Sequence, residues 1–355
     1  MYGLQIQKLI VKKDLLDNPI DKIKLLQQAI GLADTHQDVE WAINLRLELM
    51  EEELDTVQSH RSLEALSWIV GAYEQDSSVV DETSFLWQYK WVLDRVITNP
   101  NISATQRDAI VTDFSMRFQR NNYSLRPLYE NYFGFYDYFG IQEKAQEYRD
   151  LRNQAGNDEM TDCPACELDT SVEYFINFEN IEKAKAEAQD ILNGKLSCNR
   201  IPIRTLARLT MALAKENKLE EAKVFFDEGM KNLEAKGFRE SDFKHTLEFA
   251  YYLSKTDNAE AWKLLEPHYP KQQPDDFMRY RLAITMLGIL KNTSLSQIKA
   301  QFPDWVSFYQ STHEYDKTTL EKAYYEEAKA IGEKLAAREN LPAIATHLAH
   351  TLATL

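Results

Sequence analysis

The chain has 355 residues, 44% of them hydrophobic, and its 41 basic and 56 acidic side chains give a formal charge of −15. That apolar content is ample for a buried core, and no run approaches the roughly 18 apolar residues a membrane helix needs. The acidic balance repels phosphate backbones and anionic lipid, and no Lys/Arg block offsets it, so nucleic acid and membrane are set aside as partners.

Eleven glycines and ten prolines, about half the usual share, leave little for strand turns or Gly-rich loops, so long helices joined by short turns are expected. The opening "MYGLQIQKLIVKKDLLDN" lacks the apolar core and cleavage site of a secretory signal, which predicts a cytoplasmic protein. Successive amphipathic helices follow in "PIDKIKLLQQAIGLAD", "VEWAINLRLELMEEEL", "SLEALSWIVGAYEQ", "SFLWQYKWVLDRVI" and "ATQRDAIVTDFSMRFQ". Next comes "YENYFGFYDYFG", part of a stretch with eight aromatic residues between Tyr123 and Phe139. One helix face cannot bury so many rings. Tyr129, Tyr132 and Tyr136 are therefore candidates either for the core or for a recognition groove, where rigid rings supply contact area at low entropic cost. Arg126 is a candidate anchor for a partner's carboxylate, or the mate of a nearby Glu.

Beyond this point the chain repeats. In "RTLARLTMALAKENKLEEAKVFFDEGMKNL", Leu206, Leu209 and Leu213 share a face, Asn217 and Lys218 break the pattern, and a second helix carries the small Ala222 where it must approach the first. Alanines occupy the same place at 145, 184, 222 and 261, with spacings of 39, 38 and 39 residues. This pattern resembles the tetratricopeptide repeat, although its unit is longer than the usual ~34 residues. The resemblance implies an all-α, right-handed α-α superhelix of six or seven two-helix repeats that binds protein or peptide. Three segments are expected: degenerate repeats over 1–122, regular repeats with the cysteines over 123–270, and capping helices over 271–355, including a charged helix from about Thr318. His347 and His350 read as surface residues near a frayed end.

The cysteines are Cys163 and Cys166 in "TDCPACELD" and Cys198 in "GKLSC". A redox pair would need a βαβ setting, which is absent; simple packing accounts better for Cys198 than for two cysteines in a polar linker. A metal reading uses the C-x-x-C as half of a zinc site. The repeat register supports it, because the cysteines precede the first helices of consecutive repeats and His245 begins the next. Those three thiols with His245 as fourth ligand form the expected zinc set, with Asp162 or Asp169 as substitutes for the histidine. The order "DCPAC", "GKLSC", "HTLEF" and "AREN", over about Leu125 to Asn340, resembles a generally uncharacterised group of bacterial tetratricopeptide-repeat proteins. That resemblance ties these positions together but implies no activity.

There is no phosphate-cradling loop, H-E-x-x-H or G-x-S-x-G. A non-catalytic binding scaffold is the leading expectation. A peptide-switched cytoplasmic regulator, and a metal-dependent enzyme or redox sensor using the C-x-x-C, stand as alternatives.

Overall fold

The computed structural model describes residues 2–355. After α1 (Tyr2–Asp14), helices expected from periodicity form nearly where expected: α2 (Pro19–Thr35), α3 (Val39–Glu53), α4 (His60–Gln75), α5 (Thr83–Thr98) and α6 (Ala104–Arg120). The repeats follow as α7 (Arg126–Tyr138), α8 (Gln142–Gln154), α9 (Pro164–Phe178), α10 (Ile181–Glu187), α11 (Gln189–Leu192), α12 (Ile203–Lys215) and α13 (Leu219–Lys236). The chain ends in α14 (Phe243–Thr256), α15 (Asn258–Leu265), α16 (Asp276–Asn292), α17 (Lys317–Glu339) and α18 (Pro342–Thr354). The protein is all-α but for one short antiparallel hairpin, β1 (Gln297–Lys299) with β2 (Glu314–Asp316).

Local chemistry sets the helix ends. Asn18, Asp257, Asp275 and Asp316 accept from free N–H groups of the helices they precede, and Ser103 with Gln106 forms a capping box. The tight hairpin turns share one device. Gln37, Asn122, Gly140 and Asn217 adopt left-handed φ of 53°, 60°, 67° and 56°. In each case the next N–H reaches back to a carbonyl five residues earlier, as in Ile141 to Tyr136 at 2.9 Å and Lys218 to Leu213 at 3.0 Å. Such a cap satisfies the last carbonyls and turns the chain directly into the next helix.

The first helix of each pair packs on the first helix of the next, giving the series α5, α7, α9, α12, α14, α16, and α8, α10, α13, α15 and α17 each back their own partner. All four marker alanines, Ala145, Ala184, Ala222 and Ala261, are fully buried where the paired helices touch. Gly229 completes the close approach, because a Cβ there would collide with the buried ring of Phe249 on α14. One main apolar core runs from Ile6 to Leu355, continuous across the boundaries expected near residues 122 and 270, and a smaller cluster lies under the cysteines.

The series curls back on itself. Arg338, at the end of α17, donates to the carbonyls of Val96, Ile97 and Asn99 at the end of α5, and Arg107 pairs with Glu339. On the other edge Ser241 N–H reaches the Asp55 carbonyl at 3.1 Å, and Asp275 N–H reaches that of Val57 at 3.0 Å. Across the middle, Tyr138 of α7 meets Phe277 of α16 with ring centroids 5.0 Å apart. The segment between α16 and α17 was not anticipated as structure. It packs Phe302, Trp305 and Phe308 around Tyr269, Tyr315 and Tyr324.

Candidate functional site

Cys163 is the N-cap of α9, and its carbonyl accepts the Cys166 N–H at 2.9 Å, so one helical turn folds the two thiols together. Cys198 comes from the loop before α12. The three sulfurs all lie within 4.8 Å of one another, over a small apolar floor of Ala165, Ile191 and Ile201. Three soft donors so close together can bind a metal ion; thiolates about 2.3 Å from one tetrahedral zinc would sit slightly closer still. Burial pushes the Cys166 thiol up, with Arg204 opposing it. Burial alone would raise Cys198 too, but hydrogen bonds with Cys163, the Asn199 backbone and Cys166 outweigh it and bring that thiol below its ordinary value. Cys198 thus loses its proton more readily than Cys166.

The expected fourth ligand is elsewhere. Among the described residues no histidine or carboxylate joins the cysteines. His245 is 2% exposed in the first turn of α14, with Nδ1 3.4 Å from Glu248. Burial, reinforced by Lys244 and the surrounding arginines, keeps its imidazole neutral. The register failed here for a simple reason: Cys198 precedes its helix on a loop, whereas His245 lies inside its helix, whose phase turns it into the core. Neither substitute is free. Asp162 pairs with Lys90 at 2.6 Å, and fully buried Asp169 is held by Arg204, Arg208 and the Thr205 hydroxyl. Asp169 thereby ties α9 to α12 directly below the cysteines.

The candidate partner-binding residues are also structural in their contacts. Arg126 makes a two-point contact with Glu167, at 2.7 and 2.6 Å, and donates to the Ala155 carbonyl beyond the end of α8. Tyr132 and Tyr136 are 9% and 6% exposed and stack with Tyr148 between α7 and α8; Tyr129 is half-buried.

A different set of residues lines the inside of the curl, where α7, α9, α12, α14, α16 and α18 surround an open cavity of about 750 Å³. Beside Lys215, Glu216 and Glu248, five charged residues line it from successive first helices: Asp137, Glu173, Arg208, Lys244 and Arg281. Their spacings of 36, 35, 36 and 37 residues follow the repeat. Asp137 is fully buried, with Oδ2 accepting from Asn177 at 3.2 Å and Oδ1 without a partner, and burial raises its carboxyl well above the usual carboxylate range. Glu173 pairs with Arg208 at 2.5 Å. Arg281 stands 3.7 Å from Glu248 and covers the Tyr138 ring at 5.0 Å. Lys244 and Lys215 face the cavity without an ion pair or hydrogen bond, and burial brings Lys244 down to about 7, helped by Arg204, Arg281, Arg208 and Arg95.

His347 of α18 is not at a frayed end. It lies among Tyr138, Phe139 and Tyr280, bonded to the Tyr280 hydroxyl at 3.0 Å, and burial lowers it to about 4. Tyr138 and Phe139 are the rings that the aromatic stretch gives to the cavity. Helical periodicity picks out the stripe at 129, 132 and 136, which faces α8, and passes over them. The usable signal is a charged residue that recurs every 35 to 37 residues at one register of successive first helices.

No known protein family matches the chain, and neither does any curated protein or solved structure. Among the described residues no helix is long and apolar enough to cross a membrane.

Proposed function

We propose that the protein is a non-catalytic, cytoplasmic scaffold of the tetratricopeptide-like kind that holds a peptide, or an extended segment of a partner protein, in its interior cavity. The observation that carries this is the ladder of repeat-spaced charged residues around a cavity of about 750 Å³, a size suited to several side chains. Only Asp137 of the five is fully buried; the other four are half-buried around the opening, where a ligand can reach them. Incubating the protein with a random hexapeptide pool and recovering bound peptides by mass spectrometry tests the idea. Tyr138→Ala should reduce recovery at least tenfold with the helical circular-dichroism signal unchanged. Recovery of no peptide, or equal recovery by the variant, overturns it. A peptide-switched regulator is the second reading, favoured by the contacts of Arg338 and Asp55 that close the curl, since a ligand that changed the curvature would have to break them.

We propose further that the cysteine edge binds zinc, for which three thiolates are a fitting soft donor set. Cys163, Cys166 and Cys198 would hold it, leaving the fourth position to a donor from outside the three. Its role would be to fasten residues 155–163 to the loop before α12. Protein prepared without affinity-tag metal should carry one zinc per chain. Chelation or Cys166→Ser should then speed proteolysis near Thr161 while the rest of the chain stays helical. Three freely reactive thiols and no stoichiometric metal would leave the cysteines as packing residues.

A further inference from the structure

The cavity is an electrostatic anomaly. The chain carries a formal charge of −15, yet the cavity is lined by as many basic as acidic side chains, Arg208, Lys215, Lys244 and Arg281 against Asp137, Glu173, Glu216 and Glu248, and its two lysines have no ion pair. Along the ladder, the acidic side is largely answered: Asp137 accepts from Asn177 and its carboxyl is raised by burial, and Glu173 is matched by Arg208. The basic side is not. Lys244 is half-buried without an ion pair, Lys215 is in the same position one helix back, and Arg281 has only Glu248 at 3.7 Å, which His245 also contacts. The two lysine heads have given up part of their hydration for no ion pair within the protein.

We propose that Lys244, Arg281 and Lys215 form a carboxylate-binding site, so that the cavity selects a ligand carrying a carboxyl group and, in a peptide, its C-terminus or an acidic side chain. Three neighbouring helices, α12, α14 and α16, bring these cations to the cavity. Arg281 offers a planar fork of N–H donors held over Tyr138, and the two lysines offer point charges beside it. A carboxylate here would give Lys244 the partner it lacks. It would also fix the direction of a bound chain. The end that carries the carboxylate would lie against α14 and α16, and the remainder would run toward α7, where the unpartnered Oδ1 of Asp137 awaits a hydrogen bond. Phosphate would be a poorer fit, because Glu173 and Glu248 border the same space and disfavour a second negative charge.

The inference deepens the peptide reading and relies on it only for the source of the carboxylate. It is tested on the full chain with three hexapeptide pools: one without Asp or Glu and with free C-termini, the same pool amidated, and an amidated pool with one Glu per peptide. Succinate and glutamate serve as small carboxylates, with thermal stabilisation as the readout. Recovery of either carboxylate-bearing pool at least tenfold above the amidated one supports the site. That advantage should vanish in Lys244→Met and Arg281→Met and persist in Lys244→Arg. Equal recovery of all three pools overturns the carboxylate site and leaves the peptide scaffold standing. Stabilisation by succinate or glutamate that is lost in Lys244→Met, with no pool recovered, leaves the site standing and removes the peptide reading. If neither peptides nor small carboxylates bind, both fall. The comparison of pools uses the unmodified protein, so it decides the matter even where a variant fails to fold.

Discussion

Replacing Asp169 with alanine should destabilise the protein by about 3–5 kcal/mol, the range for removing one partner of a buried ion pair. The side chain is fully buried and meets Arg204, Arg208 and Thr205, so its loss strands the Arg204 guanidinium between α9 and α12 and leaves Arg208 with Glu173 alone. Burial by itself would raise this carboxyl; the two arginines and the hydroxyl outweigh it and hold it below the usual carboxylate range. The sign of the pH effect follows. Stability from this group is complete above the unfolded value, about 4, and is lost as pH falls through the lower folded value. Glu130, Asp137 and Glu248, which burial raises, act in the opposite sense, but they are present in both proteins and cancel in the difference. Denaturant unfolding of wild type and Asp169→Ala should therefore show a constant gap above about pH 5 that narrows on acidification. A gap that widens in acid would contradict the assignment.

Tyr132→Ala and Tyr136→Ala should each cost about 3–5 kcal/mol, as for large aromatic cores cut to alanine. Their rings are 9% and 6% exposed and stack on Tyr148, with centroids 4.9 and 5.5 Å away, so either deletion opens a void between α7 and α8. Because neither ring lines the cavity, peptide recovery per folded molecule should stay at the wild-type level. Half-buried Tyr129 should cost less. A variant that kept its stability but lost peptide would move the binding surface back to this stripe.

The helical architecture was legible because the pattern that drives it is local. Apolar spacing gave α5 as residues 84–97, against Thr83–Thr98 in the structure, and the small residue at each close approach marked four helix pairs in advance. The cysteine trio was legible for a related reason, since equivalent loops of stacked repeats come together. His245 was not, because one turn of helical phase separates an edge from a core and spacing alone does not report it. The cavity was harder still. Its residues appear once per repeat, so a search for apolar stripes treats Asp137, Lys244 and Arg281 as interruptions, and only stacking turns the interruptions into a surface. The β1–β2 hairpin has strands of three residues, too short for alternation to register.

The closure of the array by Arg338 and by the strand-like contacts of Asp55 and Val57 changes what kind of object it is. An open stack of repeats has two free ends; it frays from them, and copies can be added or removed because each touches only its neighbours. Here the early helices are neighbours of the late ones. The perimeter is fixed, so gaining or losing one helix pair between α5 and α16 would pull the seam apart rather than lengthen a spring. The unit on which duplication and deletion can act is then the whole loop.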